Sequence, residues 1–273
     1  MTGVVAAGAR PRWRWYLAPR GRRPSLTPQS SVVPLASPRI VFEDNHLLIV
    51  DKPAGMLSQG DETGDPTLLD WGKRYIKQQY DKPGAVYLGL AHRLDRPTSG
   101  LVVLCRTSKA LARMQPMFAE RAVEKTYLAV VQAPVEDGER RLVDYLRHDP
   151  AVKRMRVHRS ARKAGRDAKR AELTYDLLGR VAGRSLLRVR PLTGRRHQIR
   201  AQLAAAGLPI EGDLRYGAKG PLPDRSIGLH ALRLRFEHPV GRAPVEVQAL
   251  PREAHESFRH FGDLLGGSLG DIV

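Results

Sequence analysis

The sequence is short of three things, and each shortage excludes something. It holds a single cysteine, Cys105, so neither an intrachain disulfide nor a cysteine-rich zinc site can be built. No apolar stretch approaches the roughly 20 residues of a bilayer-spanning helix, because runs such as Leu47 to Val50 end at once in charge. Acidic residues are scarce, with 28 Asp and Glu against 46 Lys and Arg, a formal net charge of +18. Such an excess raises a positive surface potential that draws in polyanions, which makes RNA, DNA or an anionic membrane surface the leading partner classes. Cys105 follows the apolar run Gly100 to Leu104 and reads as a buried, inert strand residue. One such thiol fits a reducing compartment, and a cytoplasmic location is expected.

Residues 1–38 contain no acidic residue at all, while Arg10, Arg12, Arg14, Arg20, Arg22 and Arg23 crowd the middle of that stretch. That composition forms no core. An Arg-rich, acid-poor leader suits an organellar transit peptide, but Pro11, Pro19, Pro24 and Pro28 interrupt any long amphipathic helix. A disordered basic arm that touches RNA is the favoured expectation.

From Ile40 the pattern becomes regular. Ile40 to Glu43 and Leu47 to Asp51 read as strands around the turn residues Asp44 and Asn45. Asp65 and Pro66 predict a cap and first position for a helix ending near Tyr80. Leu101 to Cys105 reads as a strand, and a helix from about Ser108 places Leu111, Met114 and Phe118 on one stripe. Further strands are expected at 123–131, 171–178, 185–191 and 227–236, with a helix over 196–206 that ends at Gly207. Strands dominate without a steady βαβ alternation. The expected class is therefore α+β, with a mixed, largely antiparallel central sheet flanked by helices and loops. Residues 39–265 read as one folded domain, with 266–273 as a tail. Between Lys153 and Arg170, nine of eighteen residues are Lys or Arg, which predicts a solvated loop or hairpin flank that also suits an RNA-facing role.

The most informative segment runs from His92 to Leu101, HRLDRPTSGL, where Asp95 lies between Arg93 and Arg96 just before a Pro and Gly loop. Cationic neighbours favour the charged form of a carboxylate. Spacing alone leaves Asp95 open as a turn residue or cap. The segment resembles the signature loop of the RluA-type RNA pseudouridine synthases, and three further stretches agree in the family's order. Lys125-Thr126-Tyr127-Leu128-Ala129 resembles its tyrosine-bearing strand, and Leu192 to Arg200, LTGRRHQIR, its arginine-bearing turn and helix. Leu229-His230-Ala231 with Phe236 to Pro239 resembles its closing strand.

The resemblance implies the family's catalytic fold, structured ribosomal or transfer RNA as partner, and no metal or other cofactor. It implies a reaction in which uracil leaves C1′ of a uridine, turns, and rejoins through C5. Asp95 is then the catalytic carboxylate, as nucleophile or as acid/base, with Arg200 its partner and Tyr127 stacked on the base and assisting proton removal from C5. Arg93 resembles a wedge that helps extract the base, since flipping costs a few kcal/mol of stacking. Lys52, His92, Arg195, Arg196 and His197 are the other expected RNA contacts. Lys52 reads equally as the end of a strand, and the two histidines equally as structural residues beside turns. Many relatives carry an N-terminal S4 domain, which residues 1–38 are too short and too polar to form. A monomer is expected, without membrane attachment. Two rival readings are a non-catalytic RNA binder and a small-molecule hydrolase using Asp95. No G-x-S-x-G, P-loop or H-E-x-x-H pattern supports the latter.

Overall fold

The expected opening hairpin forms, with β1 (Arg39–Glu43) antiparallel to β2 (Leu47–Lys52). The Asp44 carboxylate fixes its turn by accepting the amides of His46 and Leu47 at 2.8 and 2.7 Å, as a short acidic side chain does in an Asx turn. The structure is a computed structural model describing residues 36–267. The expectations for the basic arm, apart from its last three positions, and for most of the C-terminal tail lie outside those residues.

Helix α1 (Leu68–Gln79) begins later than Asp65 and Pro66 suggested. Its cap is Thr67, whose hydroxyl accepts the Asp70 amide while the Asp70 carboxylate accepts the Thr67 amide. This reciprocal pair satisfies two otherwise orphaned donors, which Asp65 cannot do from two residues away. Next come β3 (Gly89–Leu90), β4 (Ser99–Cys105), α2 (Ser108–Ala119) and β5 (Glu124–Val131). The chain continues through β6 (Arg140–Asp149), β7 (Arg154–His158), α3 (Ala161–Ala164), β8 (Lys169–Val181) and β9 (Arg184–Pro191). It closes with α4 (Gln198–Ala205), β10 (Leu229–Glu237), β11 (Pro244–Gln248) and α5 (Gly262–Gly267). Helix α5 runs through the expected tail boundary at 265.

The strands form one sheet in the order β1-β2-β4-β10-β5-β9-β8-β6-β7, with β3 also on β4 and β11 also on β10. Its ladders are antiparallel except where β10 meets β4, where His230 and Ala231 lie parallel to Ser99 and Gly100. The class is α+β with a mixed, largely antiparallel sheet, as expected. That short parallel seam joins two half-sheets and demands close approach. Gly100 has φ +111°, and a Cβ there would lie 2.4 Å from the Ala231 carbonyl oxygen, so only glycine fits.

The apolar runs are buried on both faces. Leu47, Ile49, Leu101 and Val103 pack into one core, and Leu48, Val50, Val102 and Leu104 into another, as alternation across a strand dictates. Cys105 is fully buried in the first core, where burial pushes its thiol up to about 12. In α2 only Met114 of the expected stripe is completely buried, with Leu111 and Phe118 packed partly against the same core. The basic segment 153–170 holds more order than a loop. β7 pairs with β6 from Arg154 opposite Asp149 to His158 opposite Tyr145, and α3 follows. Its inward side chains, Met155 and Val157, pack against the core cluster of Leu146 and Ala201; the surrounding charge had masked that alternation.

Candidate active site

Asp95 lies on the loop that enters β4, beside the seam of the two half-sheets. The Thr98 amide donates to the Asp95 carbonyl at 3.1 Å, and the Ile227 amide donates to Pro97 O at 3.3 Å from the approach to β10. The Gly55 amide, after β2, donates to Arg96 O at 2.7 Å, so the loop is pinned from both halves of the sheet.

From the other side comes the segment before α4. Glu172 O of β8 accepts the Leu192 amide at 2.9 Å and Gln198 Nε2 at 3.0 Å. Gln198 Oε1 accepts Thr193 Oγ1 at 2.7 Å and the Arg195 amide at 2.9 Å. With its polar groups satisfied inside the fold, this stretch fixes the first turn of α4, where Arg200 is 5% exposed.

Arg200 uses three donors on two carboxylates. Its Nε and Nη2 reach Asp213 Oδ2 and Oδ1 at 2.6 and 2.8 Å, and its Nη1 reaches Asp95 Oδ2 at 2.8 Å. Burial pulls the guanidinium pKa down, but the hydrogen bonds and charges of Asp213 and Asp95 outweigh it and leave it above its ordinary value. The Asp213 carboxylate, gripping the Nε and Nη2 edge, holds the fork in one plane, so the third donor is aimed at Asp95 before any ligand arrives.

His197, in the left-handed conformation at φ 51°, places Nε2 3.7 Å from Asp95 Oδ1 and Nδ1 3.0 Å from Tyr216 Oη. Tyr216 Oη already accepts the Met155 amide at 2.9 Å, so its own proton is free for Nδ1 and the imidazole proton sits on Nε2, facing Asp95. Burial, against the pull of Asp95 and with help from Arg200, Arg196 and Arg215, pushes His197 down to about 4. It is a neutral neighbour of the carboxylate, not an ion-pair partner.

Tyr127, half-buried on β5, faces the same cavity, a space of about 460 Å³ lined also by Asp95, Lys125, Ile199, Arg200 and Leu229. Burial first, and then the Asp95 charge, raise its phenol above the ordinary range, so it stays protonated. Lys125, two residues earlier on the same face, lines the cavity too, its ammonium lowered by burial and by Arg121.

Two expected RNA contacts are corrected. Lys52 is fully buried, its Nζ donating to Pro53 O at 3.0 Å, Met56 O at 2.9 Å and Arg96 O at 3.4 Å. It closes the floor of the Asp95 loop from inside, where no phosphate can reach it. His92 accepts the Val103 amide on Nε2 at 3.1 Å and stacks on Phe118 with centroids 4.3 Å apart. Burial and Lys125 push it down to about 3, so it borders the cavity as a neutral structural ring. Arg93, Arg195 and Arg196 are exposed, and all three line the cavity. Arg195 Nε donates to Arg170 O at 3.1 Å. Asp213 and Tyr216 were not anticipated; the pair Gly212-Asp213 ahead of Tyr216-Gly217 was the available signal.

The sequence profile described as RNA pseudouridylate synthase matches residues 46–205, a span that contains Asp95, Tyr127 and Arg200. The chain belongs to that family. Ribosomal large subunit pseudouridine synthase D of Nitrosomonas europaea is 34% identical over 77% of this chain and 60% of its own length. The tRNA pseudouridine synthase C of Vibrio cholerae is 32% identical over 77% of this chain and 89% of its own length. The chain thus spans about three-fifths of the first relative. Among solved structures of the family, human RNA pseudouridylate synthase domain containing 4 superposes with a TM-score of 0.63 at 25% identity, covering 83% of this chain and 92% of that one.

Proposed function

We propose that this protein isomerises specific uridines in structured ribosomal or transfer RNA to pseudouridine, with Asp95, Arg200 and Tyr127 as its working residues. The observation that carries this reading is the grip of Arg200 on Asp95 at 2.8 Å beside a cavity that Tyr127 lines. RNA affinity alone needs no buried, doubly paired arginine aimed at one half-exposed carboxylate.

The reaction breaks the bond from C1′ to N1 and makes one from C1′ to C5. C5 gives up a proton and N1 gains one, so the composition of the RNA is unchanged. Asp95 acts at C1′, either as the nucleophile that holds the sugar while the base turns or as an acid/base. Arg200 orients the carboxylate, and Tyr127 forms the platform for the detached base. Because its phenol stays protonated, its hydroxyl serves the departing C5 proton as a relay and not as a standing phenolate base. Arg93 helps extract the base from its stack. The chain works as a cytoplasmic monomer, or in an organelle if the first segment is a transit peptide, and residues 39–265 form its catalytic domain.

Mapping pseudouridine in total RNA tests this, using cells with the wild-type protein, without it, and with Asp95→Asn. A discrete pseudouridine should be lost in both altered strains. Purified Asp95→Asn should bind RNA while turnover falls by on the order of 10²–10⁴-fold. If purified wild-type protein binds RNA and isomerises none of it, the non-catalytic RNA binder is the correct reading.

A further inference from the structure

A second and larger cavity, of about 660 Å³, meets the first at a shared wall made by Arg93, Leu94, Asp95, Arg196 and Arg200. Where the first is walled by Tyr127, Ile199 and Leu229, the second carries Arg215 and Arg225. Its Arg96 is paired with Asp65 at 2.7 Å, and Arg200 is saturated by two carboxylates. Arg93, Arg196, Arg215 and Arg225 have no carboxylate partner among the described residues, and all four are exposed. The second cavity therefore holds a surplus of cationic forks.

Resting on the reading that Asp95 acts at C1′ of a uridine, we propose that this cavity binds the RNA phosphodiesters flanking the target nucleotide, with Arg215 and Arg225 as its dedicated contacts. Covalent continuity carries the argument. A nucleotide whose C1′ touches Asp95 has its 3′ and 5′ phosphates within one sugar's width, and a base in the first cavity leaves the backbone to run through the space on the other side of that wall. Guanidinium forks suit phosphate oxygens in geometry as well as charge.

Both side chains are presented by rigid backbone. Arg225 holds φ +57°, which a non-glycine residue rarely adopts. The surrounding contacts enforce it: its amide donates to Leu222 O at 2.9 Å, and Asp224 Oδ1 accepts the amide and hydroxyl of the buried Ser226 at 3.0 and 2.6 Å. Gly212 lets this loop close, since a Cβ there would lie 2.7 Å from Ser226 O. Arg215 lies between Asp213, which holds Arg200, and Tyr216, which holds His197, and its Nη1 donates to Lys153 O at 3.3 Å.

The test measures binding in an Asp95→Asn background, where turnover cannot intervene. One probe is a labelled oligouridylate, and the other is the same oligomer with uncharged methylphosphonate linkages around its central uridine. Arg215→Ala and Arg225→Ala should each weaken binding of the charged oligomer about tenfold or more, the scale of one charge-assisted hydrogen bond. Each should also lower the slope of log Kd against log salt by about 0.7, as for one phosphate contact on a single strand. On the uncharged oligomer the same substitutions should cost nothing further, and Arg225→Lys should restore part of the loss. Melting temperatures report whether each variant folds. Losses no larger than that of Lys77→Ala, an exposed charge on α1 outside both cavities, overturn the proposal, as do equal losses on the two oligomers. Isomerisation is read separately on cellular RNA. Phosphate-dependent binding without isomerisation overturns the activity and leaves the phosphate trough; isomerisation without it overturns the trough alone.

Discussion

Arg200 and Asp213 form a two-point pair at 2.6 and 2.8 Å on the far side of the guanidinium from Asp95. The pair leaves Nη1 as the donor aimed at the carboxylate. A lysine has no second donor plane, so Arg200→Lys cannot hold both acids at once. Asp213→Asn keeps the shape but offers only one acceptor to two donors. Both variants should lose turnover by on the order of 10²-fold, the scale of a misplaced catalytic group, while RNA affinity changes little. Single-turnover rates beside equilibrium binding check this, and an Asp213→Asn enzyme of wild-type rate would remove Asp213 from the account.

Tyr127 supplies area and a hydroxyl, and two substitutions separate them. Tyr127→Ala removes the platform and should weaken RNA binding by about 1–3 kcal/mol, the usual worth of one stacked base. Tyr127→Phe keeps the ring and should bind like the wild type while turning over more slowly. Full activity of the phenylalanine variant would show that the hydroxyl carries no proton.

Lys52 is buried beneath the Asp95 loop with its ammonium lowered to about 7, chiefly by burial, against the opposing charges of Asp95 and Asp51. The unfolded chain holds this proton up to about pH 10.5, so the cost of burying the ammonium is full below about pH 7 and shrinks as the folded side chain gives up its proton above it. Stability should therefore rise as pH goes from about 7 to 9, by up to about 1.4 kcal/mol per pH unit. Urea unfolding of the wild type and of Lys52→Met at intervals across that range checks the claim. The variant should lack the rise, and a parallel rise in both proteins would refute the assignment.

Three histidines predict the acid limb. His92, His197 and His230 are held neutral, at about 3, about 4 and about 4, each mainly by burial. His230 is wedged between Ser99 Oγ at 2.8 Å and Ala249 O at 2.7 Å. Below pH 6.5 the unfolded chain takes up protons that the folded one refuses until near pH 4 or lower. Stability should drop across that window, by up to about 2 kcal/mol per histidine at about pH 5. Denaturant midpoints at the two ends of this range measure it, and equal midpoints would mean that these rings protonate in the fold.

Local pattern made much of this protein legible. The apolar runs of β2, β4 and β5 announce strands buried on both faces, and the helices at Ser108 and before Gly207 follow from period and capping. The segment around Asp95 with the Tyr127 and Arg200 stretches identifies the family, because those residue types recur in a fixed order along the chain. What the sequence leaves open is set by partners distant along it. Lys52 reads alike as a surface cation or a strand end until the carbonyls of Pro53, Met56 and Arg96 close over it. β6 and β7 hide their alternation under charge that pairs across strands, as Arg156 does with Asp149. The parallel seam of β4 and β10, the Asp213 grip on Arg200 and the placement of Arg215 and Arg225 beside Asp95 all join residues by long-range packing. Periodicity reports which face of an element is buried; only the folded chain decides what that face meets.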